Sequence, residues 1–191
     1  MANVQLTELF AKFAGLRLSM VADAGLQTFG DSKTSGDVST ALDRELLIHL
    51  RKLADLAITD TATAVAEGYK RSKHVDIEVW TKSGQKRGLS DMPATSELRE
   101  LKVVQVEDEA ARLNELLALR KAILLETGLT LTKIIAAQQL IDEACITITG
   151  ALDEAEAVAA LLEMQAEIGL HYLPKHSQLW LDQTLFTRLE R

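Results

Sequence analysis

Ala122-Ile123-Leu124-Leu125-Glu126-Thr127-Gly128-Leu129-Thr130-Leu131 decides how the rest of the chain reads. Four apolar residues stop at a carboxylate, a hydroxyl and a glycine, and an apolar-periodic segment runs on from Leu129 to Leu140. That order predicts a buried strand, a tight turn and the N-terminus of a helix. In an open α/β sheet, ligands bind where strands stop and helix N-termini present unpaired N–H groups. An ordinary strand–helix turn carries the same local pattern, so the flanking sequence has to decide.

Outward from this turn, strands and helices alternate. Downstream, Ala144 to Thr149 reads as the next strand, and Glu154 to Ile168 as an alanine- and leucine-rich helix. The tail from Leu170 to Leu189, with Trp180, Leu181, Leu185 and Phe186, reads as one or two strands. Upstream, Glu107 to Leu119 is a charged-faced helix with Leu113, Leu116 and Leu117 inward, and Leu101 to Val106 a strand. Val75 to Thr81 sets Val75, Ile77 and Val79 against Asp76, Glu78 and Trp80, which is strand periodicity. Leu56 to Thr59 is a strand ending in Asp60-Thr61-Ala62-Thr63. Thr40-x-x-Asp43 is a capping-box-like start to a helix with a Leu42, Leu46, Leu50, Leu53 stripe. Arg17 to Ala22 is a first strand, and Gln5 to Phe13 a short amphipathic helix. The expected fold is a single α/β domain over residues 1–191, its sheet largely parallel with helices on both faces. Leu56–Thr59, Ala122–Leu125 and Ala144–Thr149 should be buried neighbouring strands.

Two long polar stretches interrupt this alternation. Asp23 to Ser39 is dotted with Gly25, Gly30 and Gly36, and a loop of that length inside a compact domain is more often functional than idle. Ser83 to Pro93 is the second.

The bulk composition narrows the partners. The 191 residues are 47% hydrophobic and 26% charged, with 4% aromatics, enough apolar material for one sizeable core. A formal charge of −7 argues against nucleic acid or an anionic membrane, because both need a basic face. No apolar run approaches a membrane span, and the start of the chain lacks a basic-then-apolar signal. A single cysteine, Cys145, fits a reducing compartment and reads as a buried structural thiol. These features point to a cytoplasmic protein.

Several chemistries lack their parts. There is no G-x-x-x-x-G-K-[ST] loop, no G-x-G-x-x-G after a strand and no G-x-S-x-G elbow. His49, His74, His171 and His176 are not spaced with Cys145 as zinc ligands, and His171–His176 reads as a solvated turn.

Three ordered blocks carry a resemblance. The first is Asp43-Arg44, Leu50-Arg51, Ala54-Asp55 and Thr63, leading into Glu67-Gly68-Tyr69. The second is Leu125-Glu126-Thr127-Gly128, and the third Leu140-Ile141-Asp142-Glu143 before an apolar strand, with Phe186-x-Arg188 near the end. Together they make the chain resemble the riboflavin-pathway pyrimidine reductases, the reductase domains of bacterial bifunctional deaminase-reductases and their free-standing relatives. The resemblance implies a dihydrofolate-reductase-like fold, a homodimer, NADPH as cofactor and a phosphoribosylamino-pyrimidine or similar heterocycle as substrate. By position it implies Arg51, Glu126 and Asp23 as substrate contacts. On the cofactor wall it implies Asp60, Thr63, Glu67, Thr127, Gly128, Leu129 and Thr130.

Arg51, Glu126 and Thr63 also have ordinary readings. Arg51 suits a phosphate with its guanidinium fork, or a salt bridge to Asp55 or Glu45 on its own helix. Glu126 suits a pyrimidine N–H, or a helix N-terminus. Thr63 suits the cofactor, or simply a turn.

The sequence also departs from the family. Its serine-x-aspartate-glycine after the first strand is missing, and Met20-Val21-Ala22 runs instead into Asp23-Ala24-Gly25. Asp60 and Ala62 replace glycines after the second strand, and Thr127 replaces the first of a glycine pair. The protein is therefore either a reductase with a retuned pocket or a non-catalytic, ligand-binding relative on the same fold.

Overall fold

The computed structural model describes residues 2–85, 88–89, 97–119, 121–170 and 176–191. Part of the Ser83–Pro93 loop and most of the His171–His176 turn lie outside them. The elements run α1 (Ala2–Leu9), β1 (Gly15–Asp23), α2 (Ala41–Leu53), β2 (Leu56–Asp60), α3 (Thr61–Ala66), β3 (Asp76–Thr81) and β4 (Leu101–Gln105). They continue with α4 (Glu109–Ala118), β5 (Ala122–Leu125), α5 (Leu129–Ala137), β6 (Glu143–Thr149), α6 (Glu154–Ile168), β7 (His176–Leu181) and β8 (Thr184–Glu190).

One eight-stranded sheet, ordered β4-β3-β2-β5-β1-β6-β8-β7, organises them. The pairs from β4 to β6 are parallel, while β6–β8 and β8–β7 are antiparallel. Both faces are covered, as parallel strands require. On β1, Leu16, Leu18, Met20 and Ala22 join a core with α4, α5 and α6 residues such as Leu113, Ile135 and Met164. On the opposite face Leu124 and Cys145 pack with Leu6 and Phe10 of the α1 segment and Leu46 and Leu50 of α2. The period-2 alternation of side chains thus splits each central strand between two cores.

Local signals placed the best-defined boundaries. Thr40 caps α2, its Oγ accepting from Asp43 N at 3.2 Å. Asp153 caps α6 through Glu156 N at 2.9 Å, and Gly169 ends that helix at φ 75°, a conformation glycine adopts without strain.

Four expectations need correcting. Ala122–Leu125 and Ala144–Thr149 are buried but not neighbours, because β1 lies between them and pairs with both. The first helix spans Ala2–Leu9, not Gln5–Phe13. Its continuation is drawn away to Arg17, whose Nη2 takes the Ala11 carbonyl at 3.0 Å and whose guanidinium sits 3.9 Å from the centre of the Phe13 ring. Glu78 and Trp80 are also buried, since α4 closes that face and Arg112 Nη2 reaches Glu78 Oε1 at 2.8 Å. Finally, Phe186 is fully enclosed within this chain. The apolar terminal edge of Trp180, Leu181 and Phe186, which beside the resemblance is a second ground for expecting a homodimer, thus loses Phe186, while Trp180 and Leu181 stay half-buried.

Candidate active site

Because β2, β5 and β1 are parallel, their C-terminal ends Asp60, Leu125 and Asp23 lie on one edge of the sheet. A cleft of about 1110 Å³ opens there. Ser19 and Val21 of β1, Asp43, Arg44, Leu47 and Arg51 of α2, and residues from Ala62 to Ser72 form its walls, with Phe29 and Lys33 from the long loop. The turn Glu126–Thr130 forms its end. A smaller, largely apolar cavity of about 400 Å³, with Trp80, Val106, Leu131 and Ile134, meets the cleft along Ala62, Thr63 and residues 128–130.

Glu126 is the centre of the first polar cluster. It follows β5 directly and is only 5% exposed. Arg51 grips it with both teeth of its fork, Nε to Oε1 at 2.8 Å and Nη2 to Oε2 at 2.5 Å. The Tyr69 hydroxyl donates to the same Oε2 at 2.6 Å. A bidentate, charge-assisted pair of this kind fixes both side chains. Burial pulls Arg51 towards deprotonation, but the Glu126 contacts outweigh it and hold the guanidinium charged. Burial, then the Glu126 charge, push the Tyr69 hydroxyl well above its ordinary range, so it stays a donor. The Nε and Nη2 of Arg51 thus close on Glu126, a partner outside its own helix.

Asp60 is the centre of the second. It ends β2 and caps the short α3, a helix not anticipated from the sequence, with Thr63 N donating to Oδ1 at 2.9 Å. Its other oxygen receives Thr63 Oγ1 at 2.7 Å, the Thr127 hydroxyl, and Gly128 N at 3.2 Å. Gly128 N also reaches Thr63 Oγ1 at 3.0 Å. Gly128 has φ −69°, open to any residue, so glycine is there for space: a Cβ would stand 3.3 Å from Thr63 Oγ1. Thus four residues assigned to the cofactor wall bond to one another.

Burial alone would raise the Asp60 carboxyl, but the bonds from Thr127, Thr63 and Gly128 hold it below its ordinary 3.8. A depressed carboxylate stabilises the fold above its unfolded value, and that share is lost as pH falls through the folded one. Asp60→Asn should therefore flatten the fall of denaturation midpoint with pH below 3.8. An acid limb as steep as that of the wild type would contradict this.

The remaining assigned residues are divided. Glu67 accepts from Ser35 N at 2.5 Å and so ties the long loop to the end of α3. Leu129 and Thr130 line both cavities. Asp23 lines neither: its Oδ1 accepts from Gly25 N and Gln27 N, each at 2.9 Å, and it organises its own loop. Asp43 was read as a capping residue and as part of the first resemblance block, with no site role, yet it lines the cleft. Ser39 Oγ donates to its Oδ2 at 2.7 Å. Burial raises its carboxyl against the opposing bonds from Ser39 and Thr147 and the charge of Arg44. Tyr69, Lys33, Lys70 and Arg71 were assigned no role from the sequence. The cation pair beside Gly68-Tyr69 was the available signal.

Cys145 is fully buried, and burial, then the nearby Asp43 charge, push its thiol well up, as suits a structural residue. Among the described residues no group of His, Cys, Asp or Glu is placed to hold a metal, and no helix is long and apolar enough to cross a membrane.

No protein-family model and no curated protein matches this sequence. Solved structures do. A pyrimidine reductase-like protein from Corynebacterium diphtheriae superposes with TM-score 0.68 at 14% identity, over 100% of this chain and 98% of that one. The riboflavin biosynthesis reductase of Saccharomyces cerevisiae gives TM-score 0.58 at 11% identity, over 100% and 94%. This chain has the dihydrofolate-reductase-like fold of the pyrimidine reductases. The bifunctional deaminase/5-amino-6-(5-phosphoribosylamino)uracil reductase of Thermotoga maritima gives TM-score 0.60 at 11% identity, over 92% of this chain. This chain spans 56% of that protein's length.

If NADPH lay along the cofactor wall that the resemblance implies, its pyrophosphate would draw on the N–H groups at the start of α5. The residues present do not fit it there. The Thr127 hydroxyl and Gly128 N already face the Asp60 carboxylate, and a pyrophosphate would have to settle beside that charge.

Proposed function

We propose that the cleft binds a phosphorylated heterocycle of the pyrimidine class, with the phosphate met by the Lys33, Lys70 and Arg71 side of the cleft. The observation that carries this reading is the charge of the lining. Lys33, Arg44, Arg51, Lys70 and Arg71 face Asp43, Glu67 and Glu126 in a protein of net charge −7. Arg51 is taken up by Glu126, and Arg44 Nη2 by the Gly36 carbonyl at 3.0 Å. Lys33, Lys70 and Arg71 enter no ion pair among the described residues. A local excess of cations in an acidic protein attracts an anionic ligand and speeds its capture. Phe29, 52% exposed, offers a ring face to a planar heterocycle at the same cleft.

A second reading, an NADPH-dependent reductase of such a heterocycle, is favoured by the adjoining apolar cavity, which could hold a second ring beside the first. Both readings include a homodimer. Calorimetry with uridine 5′-monophosphate, with uridine as the unphosphorylated control, tests the first. Saturable binding of the monophosphate alone, weakened about tenfold or more by Lys70→Ala with Arg71→Ala, is expected. Equal binding of uridine, or none of either, would refute it. Loss of NADPH absorbance on adding a phosphoribosylamino-pyrimidine would establish the second.

A further inference from the structure

The arrangement around Asp60 has a consequence for which ligands this protein can hold. The N-terminus of α5 carries partial positive charge and presents Gly128 N at its cap. No side chain of Gly128 can cap that helix, and Asp60 reaches across from β2 to do so in its place. Thr63 and Thr127 add two hydroxyl donors to the same carboxylate. Backbone N–H plus hydroxyls around two oxygens is the donor set that a bound phosphate oxygen would draw on. Here a side chain fixed at the end of the adjacent strand satisfies it.

We infer that Asp60 is a resident anion standing where the ligand phosphate of a dinucleotide would sit, so that this protein excludes NADPH and related dinucleotides from the end of α5. The inference rests on the cleft being a ligand site, as proposed above, but does not depend on which monophosphate occupies it. Two effects act together. The donors nearest the cap are already engaged by Asp60, and any incoming phosphate meets a like charge inside a partly desolvated site. Within the roughly 8 Å screening length of physiological salt, that repulsion persists. The exclusion is selective. The cations that would receive a monophosphate come from the long loop and the segment after α3, not from the α5 turn.

The test is a titration of NADPH, followed by its fluorescence, against wild type, Asp60→Asn and Asp60→Gly. Thermal melts of each verify folding, because Asp60 also caps α3; asparagine keeps an acceptor oxygen for that cap. Wild type should bind NADPH weakly, and Asp60→Asn should tighten it by about tenfold or more, with Asp60→Gly at least as effective. Low-micromolar NADPH binding by wild type would overturn the inference, as would a gain seen only with glycine, which would assign the exclusion to bulk. Should no protein bind the monophosphate while the NADPH pattern holds, the proposed function fails and this inference stands.

Discussion

Glu143→Ala is expected to lower folding stability by about 3–5 kcal/mol. The reason lies beneath the segment that joins α1 to β1. Arg17 is fully buried in β1, and its Nη2 lies 2.6 Å from Glu143 Oε1. Arg188 Nε approaches the same oxygen at 3.1 Å. Arginine cannot shed its proton in a protein, so removing the carboxylate leaves a charge in the core with only the Ala11 carbonyl and the Phe13 ring as partners. Two of its nitrogens, Nε and Nη1, already lack a hydrogen-bond partner. Arg17→Met should cost distinctly less, because Glu143 keeps Arg188 and an apolar side chain suits the surroundings. Urea denaturation of the two variants decides it. Equal losses would mean that packing, not the uncompensated charge, dominates.

Arg17 also marks what the sequence could and could not disclose. Its place at the start of a strand was legible, since the alternation of Leu16, Leu18 and Met20 is local. That Arg17 would be buried was not, because its counter-charge Glu143 comes from a strand distant in sequence that meets β1 only in the finished sheet. The same division recurs elsewhere. The turn from β5 to α5, the Thr40 cap and the full span of α6 could be read because periodicity, caps and glycines act within a few residues. The insertion of β1 between β5 and β6 could not, since parallel pairing joins strands distant in sequence, as Leu18 with Ala144.

In the site, Arg51, Glu126, Asp60, Thr63 and Gly128 were each found as positions. Their mutual pairing was hidden, for the expected adjacency of β2 and β5 does not by itself say which side chain turns to which. Asp43 shows the limit most plainly. Its backbone behaves as the capping pattern predicts, while its carboxylate turns to Ser39 in the cleft.

Arg51→Ala is the second large effect, and its pairing changes what should be measured. An arginine that met only a ligand phosphate could be removed without harm to the fold, at a cost of about thirtyfold in ligand affinity. The structure overturns the first half. Glu126 is buried, and without Arg51 it keeps only the Tyr69 hydroxyl. The expected loss is about 2–3 kcal/mol of stability, below the full penalty of a buried orphan charge because Arg51 itself is one-fifth exposed. For a chain of this size that lowers the melting temperature by roughly 4–12 °C. Ligand affinity should fall as well, through Nη1, the guanidinium nitrogen that Glu126 does not engage, and through loosening of Glu126. Glu126→Gln separates the two routes, keeping shape and acceptor oxygen while freeing Arg51 from its counter-charge. If Arg51 meets the ligand phosphate, Glu126→Gln should hold uridine 5′-monophosphate at least as tightly as wild type, while Arg51→Ala loses it. If both variants lose affinity equally, Arg51 acts on the ligand only by positioning Glu126.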